Sequence, residues 1–137
     1  MKMLSVILAG AVLAMGVASA GQKPADDHVK AMKELGKLAG LLRKGVDVEA
    51  NANAMAAAMK DKVFPLLSAY PTTGDEGLKI AKTSCGDTRK GALAVAKAAA
   101  ANDKEGIAAG IKAINAGCKS CHDAHRVKLS DTENEIK

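Results

Sequence analysis

Large aromatic side chains are almost missing from this chain: its 137 residues hold no Trp, one Phe (Phe64) and one Tyr (Tyr70). Aromatic residues normally dominate core area, so a core here must come from small side chains, Ala above all, that let helices approach closely. A bulky apolar group other than a side chain is one way to supply the missing central volume. Sustained strand alternation is lacking too, and so is any apolar stretch after residue 20 long enough to cross a bilayer, which takes about 20 residues. Charge of one sign is not concentrated. Lys and Arg total 20 against 15 Asp and Glu. That balance is far from the clustered basic charge of a nucleic-acid binder, and it favours at most an acidic protein partner.

Cysteine and histidine are scarce: Cys85, Cys118 and Cys121, with His28, His122 and His125. Their placement carries the chemistry. Cys118, Lys119, Ser120, Cys121 and His122 spell C-x-x-C-H, the attachment signal of a c-type haem. Two thiols add to the two vinyl groups, and the next imidazole reaches the iron as axial ligand. On a helix, 118, 121 and 122 stand at i, i+3 and i+4 and share one face, so a flat porphyrin can be held there at three points. A thioredoxin-like pair needs the C-x-x-C beside a strand and helix unit, and no β-rich segment surrounds this one. A structural zinc site needs about four N or S ligands, a number this chain reaches only with unusual spacing. Cys85 has no intrachain partner once the other two are consumed and lies on an apolar stripe, where a small buried side chain is the ordinary reading and a dimer disulfide or redox chemistry the alternative.

The first twenty residues read as an export signal. Lys2 gives the positive start, Leu4 to Val17 the apolar stretch, and Ala18-Ser19-Ala20 the small-residue cleavage site before Gly21. The mature chain is then Gly21 to Lys137, located in the periplasm and not inserted in the membrane. Losing Lys2 lowers the formal net charge from +5 to +4.

Four helical segments follow. The first spans about 24–44, with Pro24 and the acids Asp26 and Asp27 at its start, Gly45 at its stop, and Val29, Met32, Leu35 or Gly36, Ala39 and Leu42 on its stripe. The second, 47–64, turns Val48, Ala52, Met55, Met59 and Val63 inward and ends at Pro65. Residues 70–77, with Pro71, Gly74 and Gly77, read as a loop. The third, 78–101, carries Leu78, Ala81, Cys85, Thr88, Ala92, Val95 and Ala99; the fourth, from Asp103, carries Ile107, Ile111, Ile114, Cys118, Cys121 and His125. The expected fold is all-α, an antiparallel up-down-up-down four-helix bundle over 21–129 with its cofactor in the core near the last helix. The polar tail, 130–137, is expected to fray.

A signal peptide, four Ala-rich helices and one C-x-x-C-H on the last of them together resemble the class II c-type cytochromes, the cytochrome c prime family with its low-spin relatives. The most specific piece runs from Gly117 to Arg126; a weaker one is Met32-Lys33-Glu34-Leu35-Gly36. The resemblance implies one covalent haem c and places Met32 opposite His122, as sixth iron ligand in low-spin members. On periodicity alone Met32 is a core side chain, and His28, one turn earlier, is a nitrogen alternative. Where the family pattern has Arg four residues before that Met, this chain has His28; where it has an aromatic three after the axial His, this chain has His125. The implied function is a monohaem electron carrier, monomer or homodimer, that exchanges electrons with redox proteins and is not an enzyme. The alternative is a five-coordinate haem protein binding nitric oxide or carbon monoxide. A third reading is a haem-free bundle using its Cys for metal binding or thiol exchange.

Overall fold

The computed structural model describes residues 21, 23–69, 74–131 and 133–136. The expected signal peptide, 1–20, and the 70–73 part of the expected loop lie outside them. The protein is mostly helical, with α1 (Asp26–Arg43), α2 (Val48–Ala58), α3 (Gly74–Ala100) and α4 (Lys104–His125), and a small pair of strands, β1 (Arg126–Lys128) and β2 (Asn134–Ile136). Among the described residues, no helix is long and apolar enough to cross a membrane.

Local chemistry sets most boundaries. Asp26 and Asp27 occupy the first turn of α1 and Arg43 its last, each matching the sign of the helix dipole there. The Asp103 carboxylate caps α4 by accepting the Gly106 N–H at 2.9 Å. Helix α2 does not run to Phe64 as one α-helix. It passes after Ala58 into a wider π turn, Met59–Val63, and then into tighter 3₁₀ turns, Phe64–Ala69. Pro65 lacks an N–H and its ring crowds the preceding turn, which accounts for the change of winding. The inward stripe still holds, since Ala52, Met55, Met59 and Val63 are all buried.

Two other boundaries differ from expectation. Helix α3 begins at Gly74, so part of the expected loop is helical, with Asp75 and Glu76 supplying first-turn acids that stabilise the earlier start. On α1 the buried line is Ala31, Leu35, Leu38 and Leu42, with Met32 and Ala39 beside it, so the stripe is rotated by about one residue and Gly36 is exposed. The described residues of the C-terminal stretch form a strand pair. Arg126 turns extended at the end of α4, and β1 pairs antiparallel with β2, Arg126 opposite Ile136 and Lys128 opposite Asn134. The turn is closed by the Leu129 N–H donating to the Glu133 carbonyl at 3.0 Å and the Glu133 N–H donating to Ser130 Oγ at 3.0 Å. Ile136 becomes buried, an apolar anchor hidden in a polar stretch.

Helices adjacent in sequence pack against one another, and α3 with α4 most closely. Those two run antiparallel, because Ala98 faces Gly106, Val95 faces Gly110 and Thr88 faces Gly117. Gly117 is the tightest point. A Cβ there runs into the Thr88 hydroxyl and comes within 3.0 Å of both the Ser84 carbonyl oxygen and the Thr88 nitrogen. Backbone atoms cannot swing aside as a side chain can, so Gly117→Ala forces the helices apart. We expect a loss of about 1–3 kcal/mol in stability, the usual cost of overpacking, measured by urea denaturation of the purified protein.

Candidate functional site

The lower half of α4 gathers the residues singled out by their spacing. Cys118, Cys121 and His122 are half-buried, and the buried His125 lies one turn further on. Helix α3 fixes their height: Ser84 Oγ donates to Ser120 Oγ at 3.1 Å, and Thr88, whose hydroxyl donates to the Ser84 carbonyl at 2.9 Å, lies against Gly117 and beside Cys118. Cys118 packs on the apolar core. Lys119 and Asp123, on the outer side, form an exposed i,i+4 ion pair.

Helix α1 contributes His28 and Met32, one turn apart and both half-buried, Met32 against the core. The helix is tied to the π turn after α2 by the exposed Lys62–Glu34 ion pair, N to O 2.6 Å. His28 lies near enough to His122 for the charge of its imidazolium to be felt there, as the smallest of the influences on that group. Among the described residues α1 makes scarcely any close backbone approach to α4, in contrast to each pair of helices adjacent in sequence. The seam where the two come nearest, marked by His28 and His122, carries half-buried Met32 one turn along α1 and half-buried Cys118 and Cys121 one turn back along α4.

The electrostatics favour neutral forms throughout. Burial lowers the pKa of His122, and the nearby Arg126 guanidinium lowers it further, while Asp123 pulls it back. An imidazole with its nitrogen lone pair available is the form that binds iron. Burial also lowers His28. Burial raises the Cys118 thiol, with the Thr88 hydroxyl working against the rise, and raises Cys121, where Cys118 adds to the effect. Cys85 is set apart. Burial first, then the negative charge Cys121 would carry, pushes its thiol up to about 11, and its Sγ is within 3.5 Å of the Met59 carbonyl oxygen. Thiolates are the reactive species, so Cys85 stays inert near neutral pH while the less shielded pair on α4 is left for chemistry.

Among the described residues no group of three or more His, Cys, Asp or Glu side chains is gathered closely enough to hold a bare metal ion. The zinc reading therefore gains no support from the geometry. A planar macrocycle makes a different demand: two thiols and an imidazole on one helix face, apolar neighbours, and a ligand from a second helix. Cys118, Cys121 and His122 on α4 fit the first demand, the core against which Cys118, Ile111 and Met32 pack fits the second, and Met32 and His28 on α1 are the candidates for the third. The proximity of His28 to His122, the Thr88 contact with Cys118 and the Ser84–Ser120 bond have no signature in a single sequence, because each joins residues from separate helices. Comparison with protein-family models, curated proteins and solved structures finds no match for this chain.

Proposed function

We propose that this protein is an exported c-type cytochrome, a four-helix bundle of up-down-up-down topology that carries single electrons between redox proteins in the periplasm. The supporting observation is that Cys118, Cys121 and His122 stand half-buried on one stretch of α4, with His28 of α1 near enough for its charge to be felt at His122 and Met32 one turn further along α1. Cys118 and Cys121 would hold the haem through thioether links, and His122 and Met32 would bind its iron. When bound, the haem supplies an iron that takes up and gives back one electron between its ferric and ferrous states.

The remaining roles belong to the chain. Covalent links keep the cofactor from being lost outside the cell, and the rigid α3–α4 pairing at Gly117 holds His122 in one position through each cycle. The Met32 sulfur is a soft ligand that favours the reduced metal, so it raises the potential. Arg126 acts in the same direction, because its fixed positive charge beside His122 opposes added positive charge at the metal. Leu35, Leu38, Met55, Met59 and Val63 bury the core on α1 and α2 and limit water around the seam. The formal charge of +4 on the mature chain, less the two propionates of a haem, leaves a mild positive balance suited to an acidic redox partner.

The test is the mass of the exported chain after denaturing chromatography, from cells that carry a haem-attachment system. We expect the mature polypeptide plus one haem. A chain of bare polypeptide mass would remove both the electron-carrier reading and the gas-binding one.

A further inference from the structure

We infer that removal of the signal peptide after Ala20 creates an ion pair between the new α-ammonium of Gly21 and the carboxylate of Glu135, tying the start of the mature chain to the C-terminal hairpin. The inference rests on the export reading for the position of the cut and on the structure for the contact. Gly21 is half-buried against β2. A Cβ on it would stand 2.5 Å from Glu135 Oε2, 2.9 Å from Glu135 Cβ and 3.1 Å from the Ile136 carbonyl oxygen. No side chain fits there, and two oxygen acceptors, one of them charged, surround the residue. Among the described residues Glu135 has no Lys or Arg within ion-pair distance.

The chemistry of processing supplies the missing cation. Hydrolysis of the Ala20–Gly21 amide puts the oxygen of water on the Ala20 carbonyl carbon, leaving a carboxylate on the departing signal, and puts protons on the Gly21 nitrogen. An uncharged amide with one N–H donor becomes an ammonium with three. The Ile136 carbonyl can accept one of them and the Glu135 carboxylate another, with a charge-assisted bond. Before the cut, Gly21 offers neither the charge nor the extra donors.

The consequence reaches the candidate site from both ends. Five residues beyond Gly21, α1 begins the turns that carry His28 and Met32, while β1 follows directly on the helix that carries His122 and His125. A tie between Gly21 and β2 thus fixes the entry of α1 against the exit of α4. Its formation follows export, so the two helices that border the seam become clamped only in the mature protein.

Amide hydrogen exchange in β1 and β2 reads the tie directly, with or without a haem. Three exported chains are compared with the unaltered one: a chain whose cut leaves two extra residues ahead of Gly21, Glu135→Gln, and the two changes combined. Intact mass gives the N-terminus of each. A half-exposed ion pair is worth a small factor, so we expect hairpin protection to fall about 2- to 5-fold in either single change. It should fall no further when they are combined. Unchanged protection in the extended chain overturns the inference, as does a Glu135→Gln effect that is the same size with and without the extension. A native N-terminus other than Gly21 overturns it at its first step, and haem content is scored separately by mass.

Discussion

Replacing Cys118 and Cys121 together by Ser leaves an exported chain with no covalently held haem. Each serine keeps the size of the thiol but cannot form a thioether, so both links to the vinyl carbons are lost. The His122 imidazole and the apolar neighbours can still bind a haem reversibly, so the test must denature the protein first: chromatography in acid, then mass. The unaltered chain is expected to carry one haem through that treatment, and the double variant none. Cys85→Ser is the control, and it should retain its haem in full, because the Cys85 thiol is buried and pushed up to about 11. Both α4 thiols are half-buried on a helix whose packing rests on Gly110, Ile114 and Gly117. The double variant therefore keeps its helices, and its far-ultraviolet circular dichroism should show them. Haem mass persisting on the Ser variant would show that another residue forms the link.

What was legible in the sequence, and what was not, divides along a physical line. The apolar period of the second and third segments finds Ala52, Met55, Met59 and Val63, then Ala81, Cys85, Thr88, Ala92 and Val95, all buried, but it passes over Ala56, Ala58, Ser84, Gly91, Ala96 and Ala98 and includes the half-buried Val48, Leu78 and Ala99. Those helices each have packed neighbours on either side, so burial spreads beyond a single stripe to small residues that hydropathy does not mark. The pattern on α1 misled by one residue, since Ala31 and Leu38 go inward where Val29 and Met32 were expected to lead. That helix packs chiefly on α2, and its flank toward α4 is only half-covered. Hydropathy alone cannot say which of two adjacent apolar stripes meets a neighbour.

The C-terminal hairpin was unreadable for another reason. Its strands are three residues each and largely charged, and only Ile136 marks the buried end. Short strands have no period to detect, and the pairing depends on a turn that Ser130 and Glu133 close locally. At the candidate site, C-x-x-C-H on one helix gave the three residues of α4 by spacing alone. The α1 candidates Met32 and His28 come from the resemblance and from helical spacing, whereas the α3 partners Ser84 and Thr88 come only with the fold, because they lie some thirty positions before Cys118 and Ser120.

Replacing Met32 by Ala converts a low-spin, six-coordinate iron into a high-spin one, and the thioether-to-iron absorption band of the oxidised protein disappears completely. Beyond residue 20 the chain holds three thioether donors, Met32, Met55 and Met59, and the last two are 1% and 5% exposed inside the core. Met32 is half-buried, one turn along α1 from His28. Its loss leaves Ala with no donor, and the reduction potential falls, because the soft ligand that favoured the ferrous state is gone. The vacated coordination position should then take carbon monoxide in the reduced protein. The competitor is His28, one turn earlier on α1 and close enough for its charge to be felt at His122. A low-spin spectrum that survives Met32→Ala unchanged assigns the sixth position to His28, and Met32→Ala with His28→Ala must then be high-spin. A high-spin spectrum in the unaltered protein gives a different answer: Met32 merely covers the metal, and the protein's work is the binding of small gases at the face where that sulfur stands.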